Sequence, residues 1–281
     1  MLNVKQIAVI ASVIVLMGVL LSLDIKGLVK EETGNTGATS NGAAPAAAAI
    51  NVESISLAAK QSITANLAQQ VTELEGKLKE AKGDEKVKVQ KELAALWSDV
   101  NQPAPAAFYF QEVATAENNF TNWLKAGDSF TEGYQNSTDS LVQPVLVQHA
   151  ITSYKKASEL DPKSLDAKAG LGIAYVNELT NPMQGIQLLL DVVKEDPAHV
   201  KANMNLGLFS IRSGQYDKAI DRFKTVITHK PNPEAWFYLA SCYESMGMNQ
   251  ESIAAYEKSK ELAADPSLSA FVDKKIEELR K

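Results

Sequence analysis

The chain has 281 residues, with 28 Lys+Arg against 34 Asp+Glu for a formal net charge of −6, and 45% of its residues are hydrophobic. That apolar fraction is enough for a real core. Beyond residue 100 there are 18 Lys+Arg and 23 Asp+Glu with no basic stripe or arginine cluster, which argues against a nucleic-acid partner. The single cysteine, Cys242, excludes an intramolecular disulfide.

After a short tail (1–6), residues 7–23 are seventeen consecutive uncharged residues broken only by Ser12, Gly18 and Ser22. As a helix they would span roughly 26 Å, close to a bilayer core of about 30 Å. The following Ser22-Leu23-Asp24-Ile25-Lys26 has no small-x-small cleavage site, so a retained membrane anchor is expected rather than a cleaved leader. Lysines flank the span on both sides (Lys5; Lys26 and Lys30), so charge does not decide the orientation. The shortness of the leading tail favours an extracytoplasmic, periplasm-facing domain. Residues 24–50 read as a flexible linker, poor in bulky apolar residues and rich in Gly, Ala, Ser and Thr.

In 51–100, apolar residues from Val52 to Ala81 recur at steps of three and four, Gly83-Asp84 reads as a stop and restart, and a second helix runs to about Asp99. Two readings stay open here: a short self-associating coiled coil, which would make the protein a homo-oligomer, or a helical hairpin folding back on itself. Residues 101–119, with Phe108, Phe110 and Val113, supply a helix that covers the first unit of the periodic region beyond them.

The rest of the chain is periodic. Pro162, Pro197, Pro231 and Pro266 stand 35, 34 and 35 residues apart. Between them Leu171-Gly172 with Tyr175 returns as Leu206-Gly207 with Ser210 and as Leu239-Ala240 with Tyr243. Gly185-Ile186 with Leu189, Ala219-Ile220 with Phe223 and Ser252-Ile253 with Tyr256 repeat further along each unit. Each unit therefore holds two amphipathic helices split by a polar turn, such as Arg212-Ser213-Gly214-Gln215. Small residues (Gly172, Gly207, Ala240) let the two helices approach, and no unit buries its apolar face without a neighbour. The units are 163–199, 200–232 and 233–266, closed by a capping helix at 267–281. An altered unit, 120–162, precedes them: Trp123, Ala126, Gly127 and Phe130 match a first helix, and Ala150, Ile151, Tyr154 and Ala157 a second. Its halves are about 11 residues too far apart, which predicts a long loop around 135–140, a candidate contact site.

This pattern resembles the tetratricopeptide repeat family. The resemblance implies an all-α, right-handed helix-turn-helix superhelix, here preceded by the transmembrane helix and the hairpin or coiled coil. It also implies an inner groove, lined by the first helix of each unit, that binds a peptide or protein segment. The layout is similar to that of bacterial envelope proteins that join a coiled coil to such repeats.

Chemistry has little foothold. His149, His199 and His229 are isolated, each read as lying near a helix end without metal-ligand neighbours, so neither a catalytic nor a metal site is expected. There is no phosphate loop and no nucleophile elbow, and no cofactor is implied. Carried onto matching positions, the family's groove would hold Lys125 and Asp128 from the first unit, then Asp166, Gly170, Ile173 and Asn177. Lys201, Asn205, Leu208 and Arg212 come next, then Glu234, Tyr238 and Ser241. The Lys/Asn/Asn/Lys/Arg clamp that some relatives close on a chaperone tail is absent: Asn205 matches, but Ala169, Ile173, Glu234 and Tyr238 replace its neighbours. The expected role is a membrane-tethered, non-enzymatic adaptor recruiting a protein partner through Lys125, Asn177, Lys201, Asn205, Leu208, Arg212 and Tyr238. The alternative is a self-assembling envelope factor that oligomerises through 52–99.

Overall fold

The computed structural model describes residues 50–178 and 182–281. The expected anchor (7–23) and, apart from Ile50, the linker (24–50) lie outside the described residues. Among those described, no helix is long and apolar enough to cross a membrane.

The described residues form thirteen helices and no strand. They are α1 Val52–Lys60, α2 Ala65–Glu80, α3 Gly83–Asp99, α4 Pro103–Glu117, α5 Phe120–Asn136, α6 Val142–Leu160 and α7 Leu165–Asn177. Then come α8 Pro182–Glu195, α9 Val200–Arg212, α10 Tyr216–His229, α11 Pro233–Ser245, α12 Asn249–Ala263 and α13 Pro266–Leu279.

Local chemistry sets the ends. Asn51, Thr64, Asn119, Ser164, Asn232 and Asp265 each accept a first-turn N–H as N-caps, each worth about 1 kcal/mol. Two of the repeating prolines, Pro162 and Pro197, come after helix ends in one shared turn, whereas Pro231 follows Lys230 and Pro266 opens α13. Asp161 accepts from the Lys163 N–H at 3.1 Å, and Asp196 from the Ala198 N–H at 3.0 Å, so the same aspartate-proline turn recurs one unit later. Within units, Gly214 (φ +71°) and Gly247 (φ +73°) make the turn between paired helices in the left-handed conformation.

Stacking is consecutive, α3 on α4 and onward to α13. In addition α5 touches α7, α7 touches α9 and α9 touches α11, with no contact of comparable extent between successive second helices. The first helices therefore converge on the inner side of the curve and the second helices splay outward. The core runs as a series of clusters between neighbours: Leu93, Trp97 and Tyr109, then Phe130, Leu146 and Tyr154. Ile173, Leu189 and Val192 come next, and Phe223, Leu239, Tyr256 and Val272 close the series. Close approach depends on glycine, as the sequence suggests: a Cβ on Gly172 would stand 2.9 Å from the Gly185 carbonyl oxygen, and one on Gly207 2.7 Å from the Phe223 ring.

Three expectations need correction. The apolar run from Val52 to Ala81 is not one seam, because the chain leaves helix between Lys60 and Ala65. Its apolar side is used internally: Val71, Val89, Leu93 and Trp97 share a core with Tyr109, Phe110 and Trp123. Glu75 also accepts from Ser56 and pairs with Lys60, tying α1 to α2. Second, α3 packs more extensively on α4 than on α2, so the hairpin joins α3 and α4; α4 packs more extensively still on α5 and so covers the first unit. Third, there is no long loop in the first unit. The extra residues lengthen its helices to 17 and 19 residues, against 13 and 14 in the next unit. Pro144 is tolerated because it falls in the first turn of α6, where an N–H would have no helical partner.

Candidate functional site

The inner face is built by α5, α7, α9 and α11, and Tyr154 of α6 is its hub. The ring is wholly buried between two glycines: a Cβ on Gly127 would lie 2.7 Å from it and one on Gly170 2.2 Å. Only with both Cβ atoms missing can a second-helix ring pass between two first helices. Its hydroxyl then emerges on the inner face, where it donates to Asp128 at 2.8 Å and lies 3.0 Å from the Thr131 hydroxyl. Lys201, 73 residues beyond Asp128, closes the set: its ammonium pairs with Asp128 and lies 5.2 Å from the centre of the Tyr154 ring. Burial and the neighbouring Asp128 charge hold the Tyr154 phenol well above its ordinary pKa, so it stays a neutral donor.

A second set gathers at the C-terminal ends of the first helices. Asn177 and Arg212 are the last residues of α7 and α9, one unit apart. Asn177 donates to the Tyr134 hydroxyl at 3.1 Å and to the Ile173 carbonyl at 2.8 Å. Arg212 lies over the Phe209 ring at 5.5 Å, and no carboxylate among the described residues pairs with it. Burial raises the Tyr134 and Tyr238 phenols, and the Arg212 charge opposes that rise in both. Arg212 thus lies within electrostatic reach of both Tyr134 and Tyr238. Tyr238 stacks on Phe223 with centroids 5.7 Å apart. Beside it Glu234 is exposed by area, yet desolvation raises its carboxyl. Water access together with surrounding protein is what a concave wall gives.

These contacts sort the residues expected in the groove. Asp128, Lys201, Asn177, Arg212, Glu234 and Tyr238 lie in the two sets above. Asn205 is partly exposed and donates one turn back to the Lys201 carbonyl at 2.9 Å, and Leu208 packs against the core of α10 to α13. Lys125 stands apart, over the Phe110 ring at 4.1 Å. Gly170 and Ile173 are not groove surface: both are buried, Gly170 under Tyr154 and Ile173 in the core of α7 to α9. Asp166 faces His199, 3.3 Å from its Nε2, and His199 caps α9 by accepting from the Ala202 N–H. His149 does not lie near a helix end. It sits in mid α6 between Phe108 and Phe130, with ring centroids 4.9 and 5.0 Å away, and burial lowers its pKa. Among the described residues no cluster of His, Cys, Asp or Glu could hold a metal ion.

Sequence reasoning misses Tyr154 and Tyr134 as site residues. Tyr154 reads as core by its spacing, and Tyr134 lies next to the polar stretch that reads as loop. Tyr134 also lines a cavity of about 570 Å³ between the α5–α6 turn and the ends of α7 and α9. Pro144, Val147 and Gln148 of α6 form one wall, and Asn177, Glu178 and Arg212 face them.

A stack of helix pairs whose first helices line an inner surface is a helical-repeat solenoid, a typical non-enzymatic interaction scaffold. Residues 210–268 match the family model described as tetratricopeptide repeat. Two solved structures share the fold. One is a thermophilic TPR protein of Thermus thermophilus, with TM-score 0.53 and 20% identity over 67% of this chain and 97% of that one. The other is a tetratricopeptide repeat protein from Parabacteroides merdae, with TM-score 0.53 and 16% identity over 82% of this chain and 86% of that one. Among curated proteins, a chloroplastic protein of Arabidopsis thaliana is 30% identical over 90 residues, 28% of this chain. The chain covers only 27% of that relative's length. The match places a tetratricopeptide repeat at residues 210–268, and the two structures share the fold; tetratricopeptide repeat proteins mediate protein–protein interactions.

Proposed function

We propose that the protein is a membrane-tethered adaptor that holds a segment of a partner protein along the inner face of its repeats. The observation that carries this reading is Arg212, a guanidinium without a carboxylate partner among the described residues, lying over the Phe209 ring and lining the same cavity as Tyr134. Arginine flanked by aromatic residues on a concave surface is the composition that dominates binding energy at protein interfaces. Lys201 takes a different part from the one its position suggests, since Asp128 already neutralises it and it braces the first and third units.

Support for the tether is in the sequence: seventeen uncharged residues at 7–23 and a Gly/Ala/Ser-rich linker that gives the repeats reach. On this reading the repeats face the extracytoplasmic side. Affinity recovery after crosslinking in intact membranes tests the adaptor role. The wild-type chain should retain a protein partner that an Arg212→Glu/Tyr238→Ala variant loses. Equal recovery by both would refute groove recruitment, and release of the chain by alkaline carbonate washing would refute the anchor.

A further inference from the structure

The cavity beside Arg212 owes its existence to the lengthened first unit. Tyr134 belongs to the last turn of α5, and Gln143 and Pro144 to the first turn of α6. The corresponding helices of the next unit are shorter, so the α5–α6 turn overhangs the ends of α7 and α9 and walls off about 570 Å³.

Hydrogen bonding inside the cavity leaves a definite set of groups open. Both N–H bonds of the Asn177 amide are used, on Tyr134 and Ile173. The Gln143 amide donates to the Ser137 and Tyr134 carbonyls, and the Gln148 amide to Glu178 at 2.8 Å. What stays open is the Arg212 guanidinium as donor, with the amide oxygens of Asn177, Gln143 and Gln148 as acceptors. The Tyr134 hydroxyl is already engaged by Asn177 and Thr131. The guanidinium suits an anion, while the acceptors suit backbone N–H groups. Pro144 and Val147 add an apolar surface. Among the described residues the only carboxylate lining the cavity, Glu178, lies on the side of Gln148, so the cavity is polarised and gives a bound chain a direction. Because Arg212 ends α9 and a further unit, α11 and α12, follows, a carboxylate held there lies part-way along the face and not at its end.

We propose that this cavity binds an internal acidic residue of an extended peptide segment, its side-chain carboxylate on the Arg212 guanidinium and an aliphatic or proline neighbour on Pro144 and Val147. The inference rests on the groove reading and narrows it to one subsite and one ligand chemistry.

The test uses the full chain in detergent, a phage-displayed random peptide pool, and fluorescence anisotropy on synthetic copies of the selected peptides. Selected peptides should pair Asp or Glu with Pro, Val, Leu or Ile. Changing that acid to its amide, or Arg212→Glu, should weaken binding about tenfold or more, the loss of a charge-assisted hydrogen bond. Pro144→Trp, which fills the cavity from an exposed position, should do the same. Amidating the peptide C-terminus should change nothing; a loss there alone would show that a chain end is recognised and overturn the proposal. Peptides that depend on Tyr238 and Asn205 but ignore Arg212→Glu and Pro144→Trp would overturn it while leaving the groove reading intact. Selection of no peptide would overturn both. Circular dichroism of each variant confirms that the repeats remain folded.

Discussion

Gly170 offers a sharp test of the packing that shapes the inner face. In Gly170→Ala the new Cβ would stand 2.2 Å from Tyr154 Cε1 and 2.4 Å from Cζ, far inside contact distance. The ring has nowhere to go, because Gly127 confines its other side and Thr131, Asp128 and Lys201 hold its hydroxyl. Overpacking of this kind costs about 1–3 kcal/mol. Replacing glycine by alanine within a helix returns about 1 kcal/mol, so the net destabilisation is up to about 2 kcal/mol. For a chain of this size that lowers Tm by up to about 8 °C. Gly76→Ala is the control: it also lies within a helix, but its Cβ meets nothing within 4 Å. That variant should gain up to about 1 kcal/mol. Urea denaturation measures both. In a Tyr154→Leu background the penalty at Gly170 should shrink, giving a coupling of about 1 kcal/mol or more. If Gly170→Ala is as stable as Gly76→Ala, Tyr154 does not fill the gap between the first and second units and the hub is wrongly drawn.

Three further outcomes rest on local physics. His149 is depressed by burial, so the unfolded chain binds its proton at higher pH than the folded chain. Its contribution to stability is complete above about pH 6.5 and falls as pH drops from there to its lowered folded value. Urea midpoints between pH 7 and 5 should show this slope in wild type and a shallower one in His149→Phe; equal slopes would remove His149 from the account. Gly214→Ala, at φ +71° with open space around its Cβ, should cost about 1–2 kcal/mol through backbone strain alone, and a neutral result in urea would contradict that turn geometry. Cys242 is fully buried, and burial pushes its thiol up to about 11; a disulfide reagent at pH 8 should label it slowly in buffer and quickly in urea, and rapid native labelling would show that α11 is not packed as described.

Much of the fold is legible in the sequence because repetition samples the same physics several times. Pro162 and Pro197 mark the same aspartate turn, and Gly172 and Gly207 mark the same close approach, so agreement between units replaces any single weak signal. The first unit departs from expectation where that logic is applied too rigidly. Its added residues read as a loop because 135–140 is polar, yet Leu146, Val147, Ala150 and Ile151 already carry helical spacing, and a proline in a first turn breaks nothing. The groove positions are partly legible. Register puts Asn177 and Arg212 on first helices, and the structure places both at the helix ends, but register cannot show that Asp128 neutralises Lys201 from 73 residues away. Nor can spacing show that Gly127 and Gly170 open a slot for Tyr154, since that depends on the tilt between neighbouring helices. The same limit applies to His149, whose aromatic surroundings come from α4, α5 and α6 together.

The central claim is that the inner face, and not the outer one, holds the partner. Site-directed photo-crosslinking in cells addresses it most directly, with a photoreactive phenylalanine analogue placed at Asn205 or Tyr238 on first helices, or at Lys224 or Thr228 on the second helix α10. The account predicts an adduct of one common mass from Asn205 and Tyr238, abolished by Arg212→Glu, and none from Lys224 or Thr228. Adducts from α10 alone, or adducts from Asn205 and Tyr238 that Arg212→Glu leaves unchanged, would contradict it.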